Sequence, residues 1–160
     1  MNIFEVKIKK NENDNIIIGQ THFIKSVEDI YEAIKNISPS GEFGIAFNEA
    51  STDRLIRYTG TNKEAIDLAI ENCKEIGAGH IFCIVLKNIY PIQILNAIKF
   101  IPEVCNIFCA TANEVSVIVA ENEKGRGVLG VIDGQSPLGV EDENKKKERH
   151  NLLRKFGYKE

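Results

Sequence analysis

Ile81-Phe-Cys-Ile-Val-Leu86 is an unbroken run of six apolar residues, which is long enough for one strand. A strand with an apolar side chain at every position is covered on both faces, unlike a strand that alternates apolar and polar residues. We therefore expect this segment to be a central strand of a sheet, with other elements packed on either side.

The segment before this run has the pattern of an amphipathic helix. Thr61-Asn-Lys-Glu64 has the spacing of a capping box, and Gly77 suits the left-handed residue that ends a helix. Similar patterns predict helices that start at Ser26 and Pro91, and a fourth from Glu141 to about Phe156. The apolar face of the helix before the central strand consists of Ala65, Ile66, Ala69, Cys73 and Ile76.

Six other segments have strand patterns, and the first two are predicted to pair as a hairpin. Alternation of these strands with the helices predicts an α/β protein, a single domain over residues 1–160 with a mixed β-sheet and helices in a three-layer α/β/α arrangement. The six segments are Phe4–Ile8, Ile16–Ile18, Phe43–Phe47, Val104–Ala110, Val115–Ala120 and Val128–Ile132.

Composition excludes several classes of protein. The chain has 160 residues and a formal net charge of −3, which argues against a general nucleic-acid binder because phosphate contacts need a basic face. No apolar run approaches the roughly 18 residues that span a membrane, so we expect no membrane contact. The N-terminus does not resemble a signal peptide, and we predict a cytoplasmic protein. The spacing of cysteines and histidines predicts neither a metal site nor a bound cofactor.

The fourth helix is almost wholly charged in its first turns, and acid-before-base pairs recur at four-residue spacing. Lys145-Lys-Lys147 is therefore interpreted as a solvated helix face and not as a nucleic-acid patch. Because this helix offers few apolar residues to cover a sheet, we expect a homo-oligomer that buries part of the sheet, with a trimer favoured.

Five of the twelve glycines fall between Gly125 and Gly139. Gly125-Arg-Gly-Val-Leu-Gly130 matches the dinucleotide pattern G-x-G-x-x-G, but here it opens an apolar strand and not a helix, so a Rossmann phosphate loop is rejected. A hairpin turn around Lys124-Gly125 is predicted instead. Arg126 then projects from a rigid turn, either as a phosphate ligand or as a solvated arginine.

His80 follows a predicted helix end and precedes the central strand. The negative end of the helix dipole favours the imidazolium form, and histidine serves as acid, base or nucleophile near neutral pH. A structural role for a single histidine is the alternative.

Polar residues follow two of the predicted strands. Ligands in sheets with parallel strands collect beyond the carboxyl ends of the strands, which makes these residues candidates for a small-molecule site. Glu49 is suited to ribose hydroxyls and the arginines to phosphate. Asp133 suits a ribose, a metal or a turn cap, and turn chemistry is the alternative for the others. The candidates are Asn48, Glu49, Ser51, Arg54, Arg57, Thr111, Asn113, Arg126 and Asp133.

Several longer motifs resemble one family. From about Phe43 to Glu141 the chain is similar to the small prokaryotic adenosine-specific kinases. The motifs are Phe43-Gly-Ile-Ala-Phe-Asn-Glu-Ala-Ser51, Ile76-Gly-Ala-Gly-His-Ile-Phe82, Pro91–Ile98, Pro102-Glu-Val-Cys105, Cys109-Ala-Thr-Ala-Asn113 and Gly125–Glu141.

The resemblance implies an α/β homo-oligomer that binds adenosine or AMP in preference to ATP, and a phosphohistidine for which His80 is the matching residue. The leading hypothesis is a protein that binds adenosine or AMP and passes a phosphoryl group through His80. The alternatives are a sensor that binds without turnover and a structural homo-oligomer.

Overall fold

The computed structural model describes residues 1–160 and contains eight strands and four helices. In chain order they are β1 (Asn2–Lys7), β2 (Asn15–Thr21), α1 (Ser26–Ile37), β3 (Phe43–Asn48), β4 (Ile56–Gly60), α2 (Lys63–Ile76), β5 (Ile81–Leu86), α3 (Pro91–Lys99), β6 (Val104–Thr111), β7 (Val115–Glu121), β8 (Arg126–Asp133) and α4 (Glu143–Lys155).

The strands form two sheets, one of five strands in the order β4-β3-β5-β2-β6 and one of three in the order β1-β7-β8. β5 occupies the middle of the larger sheet, and all six of its residues are buried. The α/β class and the central position predicted for Ile81–Leu86 are both confirmed.

Every strand pair is antiparallel, so the prediction of a mixed sheet is wrong as regards strand direction. The predicted hairpin of the first two strands is also wrong. β1 pairs with β7, while β2 lies between β5 and β6. The physical reason is burial. Ile16, Ile17 and Ile18 are fully buried and need cover on both faces, whereas β1 alternates and suits a sheet with one face exposed.

The two faces of the large sheet are covered differently. α1 and α3 cover one face, over a cluster that contains Phe43, Phe47 and Phe82. The other face packs against α2 and against the inner side of the three-stranded sheet, including Val117 and Val119. One outer layer is thus helical, as the three-layer prediction requires, and the other is shared between a helix and a second sheet.

α4 lies outside these layers, since none of its residues is buried. Neither α4 nor any other helix of the chain has the length and apolar character that crossing a membrane requires.

α2 is fixed at both ends and along its length. The Asn62 side chain accepts a hydrogen bond from the Ala65 backbone N–H, and Gly77 ends the helix with φ 64°. The first turn lies so close to β3 that a Cβ on Gly44 would be 2.2 Å from the Ile66 backbone nitrogen. The position therefore requires glycine for lack of space.

We predict that Gly44→Ala lowers the free energy of unfolding by at least about 1–3 kcal/mol, because the helix backbone must move away from the strand. Gly125→Ala is the matched control, since a Cβ there meets no atom within 4 Å. Urea denaturation at one protein concentration measures both. Equal midpoints for the two variants would show that α2 has room to shift.

Candidate functional site

His80 is held by its backbone in a conformation that few residues other than glycine adopt. Its φ is 65°, its N–H donates to the Asn48 carbonyl at 2.7 Å, and its carbonyl accepts from the Thr21 N–H at 2.9 Å. A left-handed non-glycine residue costs about 1–3 kcal/mol and persists only where its surroundings fix it. Bonds to both neighbouring strands provide that fixation.

The His80 ring stacks on the buried ring of Phe47, with the centroids 6.0 Å apart and an interplanar angle of 15°. Arg57 is paired with Phe47 across β3 and β4, and residues opposite each other in an antiparallel pair share one sheet face. Phe47 belongs to the cluster beneath α1 and α3. His80 and Arg57 therefore flank Phe47 on that side of the sheet.

Glu49 organises the loop between β3 and β4. Its carboxylate accepts from the Leu55 N–H at 3.0 Å and from Arg57 Nη2 at 3.2 and 3.3 Å. The Leu55 hydrogen bond, helped by Arg57, lowers the pKa of Glu49, so the group is ionised near neutral pH. A carboxylate has about four acceptor positions, and capacity remains for a ligand hydroxyl.

The same loop contains the other unusual backbone conformations. Thr52 and Arg54 have φ of 60° and 52°, and with His80 they are the three non-glycine residues of the chain with positive φ. Ser51 is exposed, and its carbonyl accepts from the Arg54 N–H at 3.2 Å. Such conformations concentrate where a ligand or a reaction requires them.

An open cleft of about 490 Å³ lies between this loop, the end of α2 and the β7–β8 turn. That volume is in the usual range for small-molecule sites, about 300–1,000 Å³. Its lining residues include Asn48, Glu49, Arg54, Lys74, Gly79, Lys124 and Arg126.

A larger hollow, about 730 Å³, is lined by residues of the β1–β2 and β6–β7 connections, among them Lys7, Lys10 and Glu114. None of the predicted site residues lines it, whereas Asn48, Glu49, Arg54 and Arg126 line the smaller cleft, which is therefore the better candidate. The His80 ring lies on the other face of the sheet, over Phe47.

The cleft is positively charged, because Arg54, Lys74, Lys124 and Arg126 line it and Glu49 is the one acidic residue among the lining. The side chains of Arg54, Lys74 and Lys124 form no hydrogen bond or ion pair within the chain. Analysis of the sequence missed Lys74 and Lys124. They are far apart along the chain and are brought together where Arg126, next to the β7–β8 turn, contacts the last turn of α2, so no local motif signals them.

Two buried polar atoms at this edge have no partner. Asn48 Nδ2 donates to the carbonyls of Cys73 at 2.8 Å and Ala78 at 3.0 Å, which fixes the amide orientation and leaves Oδ1 unpaired. Arg57 Nε is the second atom. Unpaired buried groups are uncommon in native structures and cost about 1–3 kcal/mol each.

Arg126 stabilises the contact between the end of α2 and the small sheet. Its Nη1 donates to the carbonyls of Glu75 at 3.1 Å and Ile76 at 3.4 Å, its Nε bonds Glu121, and its guanidinium lies 5.1 Å from the centre of the Phe4 ring. It thereby satisfies carbonyls at the end of α2. The remaining donors of Arg126 face the cleft edge, and the predicted turn at Lys124-Gly125 is present, held by Asn122 Oδ1.

Thr111, Asn113 and Asp133 are not brought together with His80. Thr111 pairs with Ile16, which pairs with Val85, so β6 ends at the opposite end of the sheet from β3. Asn113 bonds Asp133 at 3.2 Å and Thr111 Oγ1 at 3.0 Å, which is turn chemistry. The expectation that they join one site assumed parallel strands, and antiparallel pairing separates them.

No group of three or more His, Cys, Asp or Glu side chains is arranged to hold a metal ion.

Comparison with known proteins agrees with the resemblance seen in the sequence. A family model described as adenosine specific kinase matches residues 6–159. The crystal structure of the PH1918 protein from Pyrococcus horikoshii OT3 is similar, with a TM-score of 0.95 and 46% identity over 99% of this chain and 98% of that chain. No protein of curated function matches the chain. The chain therefore belongs to the adenosine-specific kinase family.

Proposed function

We propose that this protein binds adenosine and AMP at the edge of the large sheet where β3 ends and β5 begins, and that it passes a phosphoryl group through His80. The observation that carries the proposal is the fixed, left-handed His80, which directly follows Gly79, a lining residue of the positively charged cleft on the α2 side of the sheet. An imidazole whose backbone is bonded to two strands is held in place for a reaction without further ordering.

The proposed ligand contacts follow from charge. The ribose hydroxyls donate to the Glu49 carboxylate, which keeps free acceptor capacity. Asn48 directly precedes the same loop and Ser51 lies within it. The phosphate of AMP is assigned to Arg54, Lys74 and Lys124, with the remaining donors of Arg126 at the rim. Arg57 holds Glu49 in position. Thr111, Asn113 and Asp133 are left out because they lie at the far end of the sheet.

Phosphoryl transfer through His80 takes two displacements. An imidazole nitrogen attacks the phosphorus of a phosphoanhydride donor, and a nitrogen–phosphorus bond forms as the bond to the leaving oxygen breaks. In the second, the adenosine hydroxyl oxygen attacks, the nitrogen–phosphorus bond breaks, and the hydroxyl proton passes to the imidazole. Arg57, which flanks Phe47 on the same side of the sheet as the His80 ring, stabilises the charge on the transferred group.

We further propose that the protein is cytoplasmic and assembles as a homo-oligomer, with a trimer favoured. Support for assembly comes from α4, which buries none of its residues in its own chain.

Our first prediction for this site concerns ligand choice. Calorimetric titration should detect binding of adenosine and AMP, and the affinity for ATP should be at least tenfold lower. The cleft offers cations for one phosphate group, but the chain has no glycine-rich loop that would bind a triphosphate. Lys124→Ala should lower the affinity for AMP by about two- to fivefold, as expected for one exposed charge, and leave the affinity for adenosine unchanged. Lys7→Ala is the control, since Lys7 lines the larger hollow. ATP affinity equal to or above that of AMP would contradict the proposal.

The second prediction concerns Glu49. Glu49→Gln removes the charge that ribose hydroxyls and Arg57 share, and adenosine affinity should fall by about tenfold while the melting temperature barely moves. Asp53→Asn is the matched control, because Asp53 also faces Arg57, at 3.8 Å, but is well exposed. If both variants bind adenosine like the parent protein, Glu49 only shapes the loop.

The third prediction concerns His80. Intact mass spectrometry at neutral or basic pH should reveal an adduct of ~80 Da, one phosphoryl group on the imidazole. It should disappear in acid and in His80→Asn, a variant chosen because asparagine tolerates the left-handed conformation. His22→Asn should keep it. An adduct that persists in His80→Asn with full activity would remove His80 from the mechanism. Adenosine binding without any adduct would favour the sensor without turnover.

A further inference from the structure

A buried polar cluster lies where β2 ends, and neither the proposed ligand contacts nor the proposed reaction uses it. Its members are Thr21, Ser26 and Glu103, which are exposed by 0%, 0% and 4%. The Ser26 hydroxyl donates to Glu103 Oε1 at 3.0 Å, and the Thr21 hydroxyl donates to the Glu103 backbone carbonyl at 3.0 Å. The two hydroxyl oxygens are 2.5 Å apart. We call these three residues the Glu103 network.

The Glu103 network joins three separate parts of the chain. Thr21 is the last residue of β2, Ser26 is the first of α1, and Glu103 directly precedes β6. Lys25 adds an ion pair, with its Nζ 3.3 Å from Glu103 Oε2. Removing a carboxylate from water costs several kcal/mol, and well-packed apolar side chains often replace a buried ion pair without loss of stability. A buried carboxylate at this place is therefore poorly explained by stability alone.

The network reaches His80 through the backbone of Thr21. The Thr21 N–H donates to the His80 carbonyl at 2.9 Å, one residue beyond Gln20 and Ile81, the last paired position of β2 and β5. The pairing of β2 with β6 shifts its register between Gln20 and Thr21, so the regular ladder is interrupted at this point. The side-chain hydrogen bonds of Thr21 supply the constraint that the ladder lacks.

The other side of the His80 turn is held by Asn48. The His80 N–H donates to the Asn48 carbonyl at 2.7 Å, and the Asn48 amide bonds the carbonyls of Cys73 and Ala78. A left-handed non-glycine residue persists only where its surroundings fix it. Because Asn48 and Thr21 hold the two sides of the turn, loosening Thr21 lets His80 relax and redirects its ring, while the rest of the sheet stays paired.

We propose that Glu103 is a positioning residue for His80. Together with Ser26 it fixes Thr21, and Thr21 holds the left-handed turn that presents the imidazole. This inference rests on the proposed phosphoryl transfer through His80. None of the three network residues lines the cleft, so their loss lowers the rate of transfer and leaves ligand affinity unchanged.

The test uses variants that change one group each. Thr21→Val removes the hydroxyl and keeps the branched shape, Thr21→Ser keeps the hydroxyl, and Glu103→Gln removes the charge. Asp14→Asn is the matched control. Asp14 is a carboxylate exposed at 3%, with Lys87 Nζ 3.3 Å away, but it precedes β2 at the opposite end of the sheet, where Asn15 pairs with Leu86.

The first measurement is amide hydrogen exchange of Thr21 and His80 by NMR in the ligand-free protein. Exchange at the central residue Ile84 reports opening of the whole sheet and serves as the reference. Relative to Ile84, exchange at the His80 turn should be about tenfold faster in Thr21→Val and Glu103→Gln. It should stay at the parent value in Thr21→Ser and in Asp14→Asn.

The second measurement is a single turnover. Phosphoramidate loads the protein: an imidazole nitrogen attacks its phosphorus, and the bond to the leaving nitrogen breaks to release ammonia. After the excess is removed, adenosine is added and AMP is followed over time. Thr21→Val and Glu103→Gln should lower the maximal rate about tenfold, while the adenosine concentration that gives half of that rate is unchanged. Thr21→Ser and Asp14→Asn should transfer at the parent rate.

Two results overturn the inference. One is parent-like exchange at the His80 turn in both Thr21→Val and Glu103→Gln, or an equal effect of Asp14→Asn. The other is faster exchange with an unchanged transfer rate, because the network would then serve the fold alone. A parent protein that takes up no phosphoryl group, or forms no AMP, contradicts the proposed function instead, and the exchange measurement still decides whether the network holds the turn.

Discussion

β5 carries six apolar side chains that alternate between the two faces of the large sheet, and water must be kept from both faces. Ile81, Cys83 and Val85 face α2 and the small sheet, whereas Phe82, Ile84 and Leu86 face α1 and α3. Each large side chain contributes about 1.5–3 kcal/mol on burial, so uncovering one face costs about as much as the whole stability of a small domain. The helices on one side and the composite layer on the other are both consequences of this strand.

The same strand determines where chemistry is possible. At its amino end the chain leaves α2 through Gly77 and turns sharply into the sheet, and at that turn His80 is bonded to the strands on either side. The end of β3 and its loop lie beside it. The backbone N–H and C=O of His80 bond the strands on either side and so fix the position of its imidazole. The unpaired Asn48 Oδ1 and Arg57 Nε lie at the same edge of the sheet. The cost in strain and unpaired groups is concentrated at one place, while the opposite end of the sheet has ordinary turns.

Local patterns in the sequence were sufficient to predict the helices and strands, but not to predict which strands pair with one another. The runs of apolar residues predicted β5 as central, and the capping and glycine signals placed the two ends of α2 closely. Neither pattern contains strand direction, so the pairing of β1 with β7 across more than one hundred residues could not be predicted. For the same reason Thr111 and Asn113, which were expected near the residues that follow β3, lie at the opposite end of the sheet. The proximity of Lys74 and Lys124 depends on the contact of Arg126 with the last turn of α2, which no short motif encodes.

Arg126 couples the small sheet to the end of α2. It belongs to β8, yet it bonds the carbonyls of Glu75 and Ile76 in the last turn of α2, five and four residues before His80. Glu121 on the neighbouring strand and the ring of Phe4 on β1 hold the same guanidinium. The small sheet and the end of the helix are therefore clamped together, and a shift of one must move the other or break these bonds. A displacement of the small sheet is therefore passed to the end of α2, from which the His80 turn follows.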